Sequence, residues 1–344
     1  MKKLLNTLYI TKPETFLALE NEAVMVKEGD ATILRVPLLN IEAIVHFGYT
    51  IGCSPALIAE CAKRNILITF LTENGKYLGS IIGESKGNVT LRKEQYRISD
   101  DEYRSCIYAR NFIFGKLHNS KWVLERATRD YELRVDVESI KKCTSQISEL
   151  MKDVLDCERL DLLRAIEGNA AHCYYSVFNE LVLQNKDFFV FKNRNRRPPT
   201  DPINALLSFA YVLLAADCRH ALEGVGLDAF VGFLHRDRPG RASLALDLME
   251  ELRSVIADRF VLSLINRQEI TQKDFRITES GAVLLTDDAR KKFLAAWQTR
   301  KKDVITHPFL DEKIEWGIVA HSQSLLLSRT IRGDLDSYPV FLWK

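Results

Sequence analysis

The sequence predicts an α+β protein with two domains: a β-rich, sandwich-like domain over residues 1–100 and an all-α domain over residues 101–344. Three observations support this prediction. The first part of the chain holds short β-rich runs, each bounded by Gly, Asn, Asp, Pro or Glu. The composition changes near Asp100-Asp101, and helical periodicity dominates from there. A length of 344 residues is also enough for about two domains.

In the first domain, the predicted strands are segments rich in β-branched and aromatic residues. They cover residues 8–10, 16–19, 23–26, 32–36, 43–47, 66–71 and 77–82. Ser54 is a good N-cap and Pro55 suits the first helical position, so a helix is predicted over 56–64. Asn74-Gly75 predicts a hairpin turn between the last two strands.

In the second domain, apolar residues recur at helical spacing in seven segments. These are residues 101–130, 136–156, 158–185, 202–222, 243–260, 287–301 and 309–330. Residues 188–191 are a candidate short strand, and residues 275–285 predict a hairpin packed on the helices. The dense basic loop Lys192 to Arg197 is either a solvated linker or a DNA contact.

The amino-acid composition of the chain limits which classes of protein it can belong to. Lys and Arg number 48 against 46 Asp and Glu, so nucleic-acid binding would depend on a local basic patch. Seven scattered cysteines without C-x-x-C spacing argue against a disulfide framework and favour a reducing cytoplasm. The longest uncharged stretch, Ala43 to Ala59, is shorter than the roughly 20 apolar residues of a membrane span. The sequence also lacks the Walker A, G-x-G-x-x-G, H-E-x-x-H and G-x-S-x-G motifs.

Three segments place polar side chains among apolar ones. Glu167 lies in a helical segment beside small residues, and a buried carboxylate there needs an ion-pair partner or a metal. The alternatives are a structural pair with Arg164 or an exposed helix face. His235 ends an apolar run before a basic loop, although a lone histidine is more often structural. Asp247 and Glu250 are three residues apart and therefore share one helix face.

Together these segments supply carboxylates and one imidazole, a ligand set that suits Mg²⁺ or Mn²⁺ better than zinc. Arginines close to His235 are suited to gripping phosphates. The residues alone therefore favour a metal-dependent enzyme that acts on phosphodiesters. The candidate DNA-binding residues are Arg196, Arg197, Arg236, Arg238 and Arg241.

At these positions the chain resembles the CRISPR-associated integrase, the endonuclease of the adaptation module that inserts new spacers, in the variety found in type I-C loci. The resemblance covers essentially the whole chain. The stretches that carry it are Leu8-Tyr9-Ile10, Arg35-Val36-Pro37-Leu38, residues 41–48, Ile81-Ile82-Gly83, Glu167-Gly168 with Ala170-Ala171, residues 201–208, Gly232-Phe233-Leu234-His235, Gly240-Arg241, Ser243-Leu244, Asp247-Leu248, Glu250 and residues 338–343.

The resemblance implies a β-domain used for homodimerisation and a helical catalytic domain. It maps the catalytic metal ligands, for Mg²⁺ or Mn²⁺, onto Glu167, His235 and Glu250, with Asp247 as an auxiliary acidic residue whose loss is expected to be milder. It also implies that two homodimers flank a dimer of a small second adaptation protein, giving a heterohexamer on double-stranded protospacer and repeat DNA. The expected reaction is transesterification.

Two other functions stay open at this point. A stand-alone nuclease for branched DNA would use the same ligands, and a non-catalytic DNA-binding scaffold would need none of them. The aromatic C-terminal segment, Asp336 to Lys344, is expected to dock either on its own domain or on a partner.

Overall fold

The structure is a computed structural model that describes residues 7–50, 52–72, 77–81, 83, 89–196 and 198–343. These residues form two compact units. Those of the first unit fall within Met1–Gly87, Lys291–Val304 and Glu315–Ile318. Those of the second fall within Asn88–Arg290, Ile305–Ile314 and Val319–Lys344. The predicted α+β class, with strands early in the chain and helices later, is confirmed.

The part of the first unit that falls within Met1–Gly87 holds two four-stranded sheets and one helix among its described residues. Its elements are β1 (Thr7–Ile10), β2 (Thr15–Glu20), β3 (Ala23–Glu28), β4 (Ala31–Pro37), β5 (Ala43–Phe47), β6 (Gly52–Cys53), α1 (Pro55–Lys63), β7 (Leu67–Leu71) and β8 (Tyr77–Ile81). The strand orders are β1-β5-β7-β8 and β4-β3-β2-β6. Strands β1, β5 and β7 run parallel, whereas β2, β3 and β4 pair antiparallel.

One apolar core joins both sheets of this unit to α1. Leu17 and Val24 from one sheet, Ile44 and Ile68 from the other, and Leu57 from the helix are all buried in it. The predicted helix start is confirmed, because the Ser54 hydroxyl accepts a hydrogen bond from the Leu57 amide at 3.2 Å. The predicted turn at Asn74-Gly75 lies outside the described residues.

The rest of the chain is mainly helical. It forms the second unit, except that Lys291–Val304, which holds most of the helix over Asp287–Lys301, and Glu315–Ile318 belong to the first unit. In chain order the elements that follow are α2 (Val89–Asp100), α3 (Glu102–Asp130), α4 (Val137–Leu155), α5 (Leu160–Ser176), α6 (Pro202–Gly224), α7 (Ser243–Leu252), α8 (Arg259–Asn266), β9 (Phe275–Ile277), β10 (Val283–Leu285), α9 (Asp287–Lys301), β11 (Val304–Thr306), β12 (Lys313–Glu315) and α10 (Val319–Arg332). The 29-residue helix α3 packs against α4, α5 and α7. A π-helical stretch, Arg253–Asp258, joins α7 to α8.

Helix α2 belongs to this second unit, although the sequence analysis placed its residues in the β-rich domain. The hydrogen bonds of the buried Gln95 side chain explain why α2 belongs to the second unit. Its amide nitrogen donates to the carbonyls of Asp228 and Val231, both at 2.8 Å, and its oxygen accepts from the Asp228 amide at 2.9 Å. The separate roles given to residues 1–100 and 101–344 stay predictions.

Three other predicted elements need correction. The helix predicted over 158–185 ends at Ser176, and a 3-10 turn over Phe178–Leu181 follows, with both of its end residues buried. Residues 188–191 form a turn rather than a strand, because the amides of Phe188 and Phe189 both donate to the Asn185 carbonyl.

The helix predicted over 309–330 begins only at Val319. Asp311 has a φ of 53°, which no right-handed helix accommodates, and β12 follows it. The hairpin predicted over 275–285 is confirmed by the antiparallel pairing of β9 with β10.

Helix α6 is long and apolar enough to cross a membrane by length and composition alone. However, 67% of its most apolar stretch is buried inside the structure. This burial is typical of a core helix, so α6 gives only weak evidence of a membrane span.

A buried histidine in the first unit gives a prediction for stability against pH. Nε2 of His46 on β5 lies 3.5 Å from the Cys53 sulfur, and the His46 ring centroid lies 4.8 Å from that of Phe70, with the two rings tilted by 37°. Burial lowers the pKa of His46 to about 4. The unfolded chain takes up this proton near pH 6.5, whereas the folded chain does not. The contribution of neutral, buried His46 to the free energy of unfolding is therefore complete above pH 6.5, and it is lost as the pH falls towards 4.

We expect His46 to reduce the free energy of unfolding by about 2 kcal/mol between pH 7 and pH 5. Urea denaturation at both pH values would measure this fall in the wild type and in His46→Leu. The variant should show a smaller fall by that amount. An identical fall in both proteins would contradict the prediction.

Candidate active site

The centre of the site is a buried lysine between two carboxylates. Lys116 lies halfway along α3, with only 10% of its side chain exposed. Its ammonium donates a hydrogen bond to Glu167 Oε1 on α5 and lies 2.7 Å from Glu250 Oε2 on α7. The second contact is an ion pair without hydrogen-bond geometry, so the buried Glu250 Oε2 has no hydrogen-bond partner. Three helices from distant parts of the sequence therefore meet at one cation.

Positive charges hold Glu250 in its ionised form. Arg253, one turn later, places a guanidinium nitrogen 2.8 Å from Glu250 Oε1. Although burial opposes ionisation, Arg253, Lys116 and His235 together lower the pKa of Glu250 to about 2. Burial likewise opposes the charge on Lys116, but Glu250 and Glu167 raise the pKa of the lysine. The centre is thus a set of fixed charges at neutral pH.

His235 is oriented by Asp247. The fully buried Asp247 carboxylate lies 2.6 Å from His235 Nδ1 and also accepts the backbone amides of Phe233, Leu234 and His235 at 2.6 to 3.1 Å. A proton on Nδ1 leaves Nε2 as the free lone pair, as in the carboxylate–histidine pairs of metal sites. Asp247 therefore acts on the whole loop as well as on the ring.

The loop before His235 has room only for glycine at position 232. A Cβ there would lie 2.8 Å from both Asp247 Oδ2 and the Ser243 Cβ. Arg164 fastens the other side of the loop to α5, since its guanidinium donates twice to the Leu234 carbonyl, at 2.7 and 3.0 Å. Because Arg164 precedes Glu167 by one helical turn, α5 positions the histidine loop and the carboxylate together.

The side chains at this centre are of the types that bind a divalent cation. Two carboxylates converge on one positive atom, one of their buried oxygens has no hydrogen-bond partner, and the imidazole has a carboxylate behind it. These are the ligand types that Mg²⁺ and Mn²⁺ use. Among the described residues, no three His, Cys, Asp or Glu side chains are arranged closely enough to hold a metal ion. In this structure the Lys116 ammonium contacts the carboxylates instead.

The predicted DNA-binding arginines have different surroundings. Arg196, Arg236 and Arg238 are exposed, and Arg241 is half-buried, while Arg197 lies outside the described residues. Burial, together with the nearby Arg238, lowers the pKa of Arg241. Their role in DNA binding stays a prediction.

Sequence reasoning missed Lys116, Arg253 and the true partner of Arg164. The predicted alternative pairing of Glu167 with Arg164 is wrong, because Glu167 pairs with Lys116 and Arg164 binds the Leu234 carbonyl. One signal was available for Lys116: it lies at helical spacing from the apolar residues Phe112 and Ile113, on the face that α3 buries.

With this geometry established, comparisons with known proteins identify the family. Residues 8–299 match the family described as CRISPR associated protein Cas1. The chain is also 46% identical over 344 residues to a CRISPR-associated endonuclease Cas1 from Chlorobaculum tepidum, and the match covers 100% of both chains. The chain belongs to the Cas1 family.

Solved structures share the fold of this Cas1 chain. A casposase bound to integration product has a TM-score of 0.84 at 25% identity, over 98% of this chain and 93% of that one. A chain of a Cas6-RT-Cas1–Cas2 complex has a TM-score of 0.82 at 22% identity, over 100% of this chain and 36% of that one, and it supports the fold alone. The family predicted from the sequence is therefore confirmed, and the type I-C variety stays a prediction.

We expect Lys116→Met to lower the free energy of unfolding by about 3 kcal/mol, because it removes the ammonium between the Glu250 and Glu167 carboxylates and leaves only Arg253 as a cation partner of Glu250. Lys142→Met, on the exposed side of α4, is the matched control and should change stability by less than about 0.5 kcal/mol. Urea denaturation at pH 7 in a chelating buffer compares the two. Equal losses in both variants would show that the ammonium does not stabilise the centre.

Proposed function

We propose that this Cas1 chain is a metal-dependent DNA integrase. The 3′-hydroxyl of a short protospacer duplex attacks a phosphodiester at the boundary of a CRISPR repeat. One phosphorus–oxygen bond forms to the incoming 3′-oxygen, which gives up its proton, and one breaks, so that the leaving 3′-oxygen takes up a proton. Because one phosphodiester replaces another, the step needs no ATP. The observation that carries the proposal is the convergence of Glu167, Glu250 and the Lys116 ammonium beside His235.

In this proposal Glu167, Glu250 and His235 Nε2 hold Mg²⁺ or Mn²⁺. When bound, the metal polarises the scissile phosphate and stabilises its developing charge. Asp247 keeps the proton of His235 on Nδ1, and Arg253 keeps Glu250 ionised. Lys116 supplies a second positive charge next to the phosphate that enters the site.

The arginines beside His235 extend the positive charge outwards. Arg236 and Arg238 are exposed on the loop that follows the histidine, and Arg241 lies at its end. We propose that these three contact the phosphate backbone, together with Arg196 and Arg197 of the basic loop. The chain as a whole is nearly neutral, so this local group would supply the attraction for DNA.

The names of two related proteins support this chemistry. The relative from Chlorobaculum tepidum is named an endonuclease, and the casposase structure holds the product of an integration. Both names fit an active site that breaks or exchanges phosphodiester bonds. The proposed ligands come from separate segments of the chain. A non-catalytic scaffold would have no need to bring them together.

The proposed assembly is a homodimer, two of which flank a Cas2 dimer. Strand β4 suits such a contact, because it is the last strand of its sheet in the described part of the chain and exposes Ile33 and Leu34 at 47% and 45%. Sedimentation velocity of the purified chain tests the dimer, and a monomer at micromolar concentration would contradict it. We also propose the cytoplasm as its compartment, because all seven cysteines are free thiols in the structure.

We expect Glu167→Gln, His235→Ala and Glu250→Gln each to reduce integration by roughly a hundredfold or more while the fold is kept. Asp247→Ala should be as damaging as His235→Ala, since Asp247 fixes both the ring and its loop. This differs from the milder loss that the sequence suggested. The exposed Glu149→Gln is the matched control. The measurement is the joining of a labelled protospacer duplex to a plasmid with a repeat array, with Cas2 and Mn²⁺.

Each other outcome has a distinct meaning. Full integration by any of the three ligand variants removes that residue from the site. Cleavage of branched DNA without joining to the repeat would favour the stand-alone nuclease. Binding of DNA without cleavage or joining by the wild type would favour the scaffold.

A further inference from the structure

The C-terminal segment Tyr338–Trp343 is docked on the second unit of its own chain. Tyr338 and Phe341 are 3% and 0% exposed. The Tyr338 ring lies 5.3 Å from Phe112 of α3, and the Phe341 ring lies 5.5 Å from His307. These two aromatic anchors give the segment one defined position against the helices.

The same segment surrounds the neighbour of Glu250. Glu251 is fully buried on α7, and its carboxylate accepts three hydrogen bonds from the C-terminal part of the chain. Oε1 accepts from the Tyr338 hydroxyl and from Gln323 Nε2 at 3.1 Å, and Oε2 accepts from the Phe341 amide at 2.9 Å. A carboxylate in this position is costly to turn, because any rotation leaves buried donors unsatisfied.

Helix α3 is fastened to the same segment one turn after Lys116. The Asn119 amide nitrogen donates to the carbonyls of Glu251 and Phe341, at 2.6 and 2.8 Å, and its oxygen accepts from the Trp343 amide at 2.9 Å. Asn119 is fully buried, so these bonds tie α3, α7 and the segment together without water.

The contact between these elements leaves no room for a side chain at Gly115. A Cβ there would lie 2.5 Å from Val340 Cγ1 and 2.9 Å from Glu251 Cβ. Gly115 directly precedes Lys116, so the backbone of α3 approaches α7 closely beside the site. The C-terminal segment contacts α3 at the same point through Val340.

We propose that Glu251 and Tyr338 are positioning residues for the metal site, through which the C-terminal segment sets the direction of Glu250. Consecutive side chains on a helix point about 100° apart, so a fixed Glu251 fixes the rotation of α7 and with it the direction in which Glu250 points. Asn119 fixes α3 at the same level, and therefore the position of Lys116. This inference rests on the proposed function, since it assigns a role in that metal site.

The test compares two variants of the full chain, each of which loses one buried hydroxyl. Tyr338→Phe removes a donor to Glu251 and keeps the ring on Phe112. Thr144→Val is the matched control, because the buried Thr144 hydroxyl donates to the Glu125 carboxylate at 2.6 Å, away from Glu250. Free Mn²⁺ is measured by electron paramagnetic resonance during titration of each protein, and thermal unfolding is followed in parallel.

We expect Tyr338→Phe to weaken Mn²⁺ binding about tenfold, the lower end of the loss seen when a residue that bonds a metal ligand is removed, because Tyr338 acts on Glu250 only through Glu251. The rate of integration at saturating DNA should fall, while the DNA concentration at half-maximal rate stays unchanged. Thr144→Val should lose similar thermal stability but keep wild-type Mn²⁺ binding. A purely structural role of Tyr338 would lower the melting temperature and leave the metal affinity unchanged.

The outcomes separate this inference from the proposed function. Wild-type Mn²⁺ binding and integration rate in Tyr338→Phe would overturn the positioning role and leave the proposed function intact. A wild type that neither binds Mn²⁺ nor integrates DNA would overturn the proposed function itself. If Tyr338→Phe does not fold, Gln323→Met removes the other side-chain donor to Glu251 Oε1 and should weaken Mn²⁺ binding in the same way.

Discussion

The buried ion-pair cluster of Lys116 with Glu167 and Glu250 is the interaction on which the rest of the helical unit depends. Two carboxylates that share one partly desolvated position repel each other unless a cation lies between them. The cation between the two carboxylates comes from a third element, so α3, α5 and α7 meet at one point. The length of α3 serves this geometry, because it lets one helix carry Lys116 and also pack against α4, α5 and α7.

Around this cluster, polar residues are buried for the sake of orientation rather than net stability. Asp247 satisfies three backbone amides and one imidazole nitrogen, and Arg164 fastens the same loop to α5. Replacing such groups by apolar ones could leave the free energy of unfolding unchanged or even increase it. Such groups suit the proposed site, in which the directions of a histidine and two carboxylates would be fixed before substrate binds.

The elements and the ligand candidates could be predicted where local patterns are strong. Ser54 and Pro55 predicted the start of α1, and polar residues within apolar segments indicated Glu167, His235, Asp247 and Glu250. The choice of Glu167, His235 and Glu250 as the ligands came from the family resemblance. Lys116 could not be predicted in the same way, because a lysine in a helix is normally solvated and only the tertiary fold shows its two partners. The late start of α10 depends on the left-handed backbone of Asp311, which the helical periodicity of that segment conceals.

The central claim is that the position now taken by the Lys116 ammonium is where a divalent metal binds. A crystal structure of the wild-type chain grown with Mn²⁺, with anomalous data collected at the manganese edge, tests this claim most directly. We expect one strong anomalous peak in contact with Glu167, Glu250 and His235 Nε2, with the Lys116 ammonium displaced from between the carboxylates. If no peak appears there at saturating Mn²⁺ and Lys116 is still paired to both carboxylates, the proposed metal site is contradicted.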